Sequence, residues 1–196
     1  MVVKTREKLI EVARQLFAYK GIENTTMNDI ANASDKGRRT IYTYFKNKKE
    51  IYNAVIEQES EKLIAQLREV ECQNITPLEK LEKLLIARFN VIKTATTNST
   101  ENSIMAFFKR DIKRIDQIRK LAFEKEIEII KNIIQEGLNN QTFNLEQSQY
   151  LLSTLIAIIQ GIDIVNLKDD NFNYIINKQL YYKEIIQFII NGIKQQ

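Results

Sequence analysis

The stretch Thr25 to Phe45, TTMNDIANASDKGRRTIYTYF, decides how the chain is read. Thr26 stands three residues before Asp29, a capping-box spacing with Asp in place of the usual Glu. Met27, Ile30 and Ala31 then make a short apolar stripe. Ser34-Asp35-Lys36-Gly37 breaks it, because Asp and Gly tolerate turn dihedrals. Ile41 and Phe45, four apart, give the inward face of another short helix. That leaves Arg38, Arg39, Thr40, Tyr42, Thr43 and Tyr44 turned away from the core.

Working outward, Leu9, Val12, Ala13, Leu16 and Phe17 have helical spacing over residues 4–20, and Gly21 stops that helix. The first 45 residues therefore read as helix, short helix, tight turn, short helix. This is the plan of a helix-turn-helix module.

The charge pattern points the same way. Residues 1–60 carry eleven Lys/Arg against eight Asp/Glu, so most of the chain's net +4 lies in its first third. Residues 36–49 hold six cations (Lys36, Arg38, Arg39, Lys46, Lys48, Lys49) and no acid. Such a cluster is an electrostatic footprint for a polyanion. Charge alone fits a solvated basic face equally well.

The remainder reads as all-α, with about nine helices in total. A hydrophobic fraction of 44% supports a real core, and five Gly and one Pro favour long helices. A long helix runs from Lys48 to about Val70. Thr76-Pro77-Leu78-Glu79 is a new start, with a Thr cap, Pro at the first helical position and Glu at the third. Residues 93–103, KTATTNSTENS, read as a loop or frayed end, and Ile104 to Phe108 as a short apolar piece. Residues 112–138 form a long amphipathic helix. Two last helices, from Asn144 and from Tyr174, have broad apolar faces.

Several function classes are excluded or disfavoured. No histidine is present, which removes His-based acid–base chemistry and most zinc and iron sites. An enzyme is thereby disfavoured, although carboxylates and lysines remain available as catalysts. The single Cys72 rules out an internal disulfide. No run reaches the length of a membrane span, and the N-terminus has no signal-peptide apolar block, so a cytoplasmic protein is expected.

The segment Thr25 to Glu57 resembles the TetR family of bacterial transcriptional repressors. Thr25-Thr26, Asp29-Ile30-Ala31, Thr40-Ile41-Tyr42, Phe45, Lys48 and Glu50 stand where the family motif has those types. Leu16 to Thr26 also fits the family's first helix ending and its following Gly. Asp35, Lys36 and Gly37 depart from it, since the family usually has a turn glycine, a buried valine and a serine there.

The resemblance implies a three-helix DNA-binding domain over 1–47 and a larger helical domain for ligand binding and dimerisation over 48–196. Thr26, Thr40, Tyr42, Tyr44 and Lys48 are implied backbone contacts, and the Thr25 hydroxyl suits a phosphate oxygen as well. Lys36, Arg38, Arg39 and Thr43 are candidate base readers; guanidinium forks suit guanine. The partners are double-stranded DNA with a palindromic operator, a second copy of the chain, and an unidentified small-molecule effector. No cofactor, metal or membrane partner is implied. Candidate effector-lining residues are Phe89, Met105, Phe108, Phe123 and Ile127. Candidate dimer-interface residues are Leu155, Ile159, Ile162, Tyr182, Ile185, Ile186 and Ile189. Two other readings compete: a helical enzyme or small-molecule carrier whose basic segment meets an anionic substrate, and a regulator that acts without a ligand.

Overall fold

The computed structural model describes residues 2–97, 112–143, 150–168 and 178–193. Among them are eight α-helices and no strand: α1 (Val2–Lys20), α2 (Met27–Ala33), α3 (Arg38–Tyr44), α4 (Lys48–Glu71), α5 (Pro77–Thr97), α6 (Ile112–Asn139), α7 (Leu151–Lys168) and α8 (Lys178–Ile193). The all-α expectation holds among the described residues. Helix α5 continues to Thr97, so the first part of the segment read as a loop or frayed end is helical. No Gly or Pro interrupts the backbone ladder there. The apolar piece 104–108 and the expected helix start at 144 lie outside the described residues.

The chain divides into two compact units, residues 1–61 with 94–120, and residues 62–93 with 121–196. Helix α4 contributes to both units. Its first half (Ile51, Tyr52, Val55, Ile56) joins the core of the first unit. Its second half (Leu63, Ile64, Leu67, Val70) joins that of the second.

In the first unit α2 packs on both α1 and α3. Gly21 takes a φ of 77°, which ends α1 at no Cβ cost. The capping box is complete: the Thr26 hydroxyl accepts from the Asp29 N–H at 3.1 Å, and Asp29 accepts from the Thr26 N–H at 2.8 Å. After α2 it is Asp35 that turns left-handed, with φ 54°. Gly37 has an ordinary φ of −64°. The Lys36 N–H then returns to the Ala31 carbonyl at 3.0 Å. Leu9, Ala13, Phe17, Ile30, Ile41 and Phe45 close the core.

In the second unit Thr76 and Glu79 form another capping box at the start of α5. Leu81, Leu84, Leu85, Ile129, Ile130 and Ile133 fill the centre. Gly137 lets the Phe143 ring approach so closely that a Cβ there would lie 2.1 Å from it. An ion triad lies in this unit: Arg88 donates to Glu126 at 2.7 Å and to Asp163 at 2.5 Å, with Arg88 only 1% exposed. Burial pulls the Arg88 pKa down, and the charges and hydrogen bonds of Glu126 and Asp163 more than offset it.

The residues expected at a dimer interface are placed differently. Leu155, Ile159, Ile162, Tyr182, Ile186 and Ile189 are buried within one chain, and Ile185 is half-buried against the same core. Within one chain they close the core of this unit. A broad apolar helix face has the same pattern whether it meets its own chain or another. The side chains that α7 and α8 leave exposed include Ser153, Thr154, Ala157 and Phe188.

Of the expected effector-lining residues, Phe89 is buried and stacks on Tyr182 at 5.3 Å between ring centroids. Phe123 and Ile127 are half-buried on α6. Met105 and Phe108 lie outside the described residues.

Candidate nucleic-acid interface

Helix α3 presents its surface because two apolar anchors hold its other side. Ile41 is fully buried and Phe45 is 4% exposed, four residues apart on one face. Arg38, Arg39, Tyr42 and Thr43 are consequently exposed, and Lys36 and Thr40 are half-exposed. A single helix of this width fits a major groove.

Lys36, Arg38, Arg39, Lys46 and Lys49 make no ion pair with any acid among the described residues. The acids that flank this run in sequence are otherwise employed. Glu50 accepts the Lys46 backbone N–H at 2.7 Å, and Asp35 pairs with Lys8 at 3.5 Å. Arg38 is held over the Tyr42 ring at 5.9 Å, a cation–π contact one helical turn along. The guanidinium is thereby presented partly ordered, while Arg39 extends from the same turn without such a support.

The other expected contacts have additional or different employment. Thr25 is fully buried, and its hydroxyl donates to the Gly21 carbonyl at 2.7 Å. It therefore secures the turn after α1 and presents no hydroxyl to a phosphate, which corrects its expected surface role. The Thr26 hydroxyl is engaged in the capping box, and the Thr43 hydroxyl donates to the Arg39 carbonyl at 3.1 Å. Tyr44 is half-buried against the core, so it is not turned wholly outward. Lys48 donates to the Ile22 and Glu23 carbonyls at 2.5 and 3.3 Å, tying the start of α4 to the α1–α2 loop. Motif position alone does not register these local partners.

The interface that emerges is a short positive helix surface, rigidly backed and supported at both ends. It has the charge and hydrogen-bond donors to meet phosphates and base edges. It offers no nucleophile–base pair.

Comparison with known proteins bears on the same segment. Residues 9–55 match the family described as bacterial regulatory proteins, tetR family. A probable acrEF/envCD operon repressor of Escherichia coli K12 is 35% identical over 96 residues, covering 46% of this chain and 41% of that protein. The HTH-type transcriptional regulator TtgR of Pseudomonas putida is 32% identical over 124 residues, covering 61% and 59%. These matches span roughly half the length of the curated relatives. Over nearly the whole chain, a transcriptional regulator from Cytophaga hutchinsonii shares the fold, with a TM-score of 0.73, 22% identity, and coverage of 96% of this chain and 98% of that one. The helix-turn-helix segment is thus similar to that of the tetR family of bacterial regulatory proteins, and the all-helical fold is shared with a solved regulator.

Proposed function

We propose that this protein is a sequence-specific DNA-binding transcriptional regulator, a homodimeric repressor released from a palindromic operator by a small-molecule effector. The observation that carries the reading is the acid-free surface of α3 and its flanks. Five cations there have no carboxylate partner among the described residues. Arg38 and Arg39 read bases, with Lys36 at the turn, while Thr40, Tyr42 and Lys48 hold the backbone. The protein acts in the cytoplasm and has no enzymatic role.

One seven-residue helix reads few base pairs, so a second copy is needed for specificity. The exposed faces of α7 and α8, with Phe188 at 81% exposure, are the surface proposed to meet it. The module up to about residue 47 contacts DNA, and the remaining helices hold the effector and the dimer contact. Phe123 and Ile127 are the described residues proposed nearest the effector. Effector binding shifts the population between DNA-competent and incompetent arrangements. Selection of bound sequences from random duplex DNA tests the reading: it should return an inverted repeat, and recovery of no preferred sequence would refute it.

A further inference from the structure

Helix α1 reaches both ends of the recognition helix. Lys8 meets Asp35, in the turn before α3. Arg6 lies over the ring of Phe45, the residue that ends α3, with its guanidinium carbon 5.4 Å from the ring centroid. Phe45 is anchored in the core, so this stack gives an exposed and otherwise flexible side chain a fixed seat.

The charge at that seat is uncompensated. Lys8, Arg14 and Lys20 on the same helix each pair with a carboxylate, Asp35, Glu11 and Asp29 respectively. Arg6 pairs with none among the described residues, and its ring contact is its one recorded partner. Phe45 leads directly into Lys46-Asn47-Lys48-Lys49, where Lys46 and Lys49 are exposed and unpaired. Arg6 therefore adds a guanidinium from α1 at the C-terminal end of α3, where the chain passes into this basic run.

We infer that Arg6 is a phosphate contact of the bound duplex, positioned by its stack on Phe45. The inference rests on the DNA-binding reading above and extends the interface beyond α3 and the start of α4. A planar guanidinium held over a ring keeps its N–H edge free for phosphate oxygens. The contact carries no sequence information, so it should strengthen binding to all duplexes alike.

The test compares the full-length wild type with Arg6→Met, Arg6→Lys and Lys8→Met by fluorescence anisotropy. The probes are a duplex selected by the wild type from random DNA and a mixed-sequence duplex, over a range of salt. Met retains the apolar cover over Phe45 without the charge, and thermal melting checks that each variant is folded. Arg6→Met should weaken binding to both duplexes by a similar factor, roughly tenfold near 0.1 M salt, and reduce the salt slope by about one. Arg6→Lys should keep most of that slope, and Lys8→Met, which removes an already paired charge, should change it less. An unchanged slope in Arg6→Met, or a change no larger than in Lys8→Met, overturns the inference while leaving the DNA-binding reading intact. Absence of salt-dependent binding by the wild type would overturn both.

Discussion

The Lys48 ammonium donates to the Ile22 carbonyl at 2.5 Å across 26 positions of sequence. It joins the first turn of α4 to the loop that follows α1, so one cation at the edge of the basic cluster has a structural duty. Lys48→Met should lower the unfolding free energy by about 1 kcal/mol, since a partly exposed charged hydrogen bond is lost. Urea denaturation measures this, and a midpoint equal to wild type would contradict the assigned duty.

Asp35 holds the left-handed position in the turn before α3, with φ 54°. Asn shares the tolerance for that conformation, and a β-branched residue does not. Asp35→Asn should stay within about 0.5 kcal/mol of wild type, because the Lys8 pair it loses is exposed. Asp35→Val should cost about 1–2 kcal/mol. Equal stability of the two variants in chemical denaturation would show that the turn does not depend on this residue's backbone.

Arg88 makes the second unit sensitive to a single substitution. In Arg88→Met, Glu126 would lose its guanidinium while remaining 2% exposed. Breaking one side of such a buried pair costs about 3–5 kcal/mol. Arg88→Met/Glu126→Gln should recover part of that loss, a coupling that neither single variant reveals. Additive effects in a double-mutant cycle would mean that the pair is not energetically linked.

The pH dependence follows from the caps. Asp29 is held below the usual carboxylate range because it accepts the Thr26 backbone N–H and then the Thr26 hydroxyl. Its folded pKa lies below its unfolded one, so its stabilisation is present above the unfolded value, near 4. It is lost as pH falls through the folded value. Thermal melts of wild type and Asp29→Asn should therefore differ at neutral pH and converge on acidification below about pH 4. Glu79, bonded to the Thr76 hydroxyl and N–H, acts in the same direction in the second unit. A wild-type advantage independent of pH would rule out the Asp29 assignment.

Features that depend on a few neighbouring positions were legible in the sequence. Thr26 with Asp29, Thr76 with Glu79, the stop at Gly21 and the anchors Ile41 and Phe45 are each defined by spacings of three or four, or by one backbone demand. Features that depend on distant partners were not. The Arg88 triad brings together side chains 38 and 75 positions apart. Lys48 reads as a basic-cluster lysine until Ile22 is beside it. Thr25 looks like any surface hydroxyl beside a cap, yet it is fully buried. Leu155 and Ile186 have the pattern of an interface because a core face and an interface face are both apolar.

The central claim is that the acid-free surface of α3 reads DNA through Arg38 and Arg39. Its most direct measurement is anisotropy titration of a selected duplex and its scrambled counterpart, with wild type and with Arg38→Ala/Arg39→Ala, over a range of salt. Wild type should prefer the selected duplex, and its log affinity should fall linearly with log salt. The double variant should lose most of that preference while remaining folded, with each lost base contact costing about 1–3 kcal/mol of discrimination. Full sequence preference in the double variant, or no salt-dependent binding by wild type, would contradict the account.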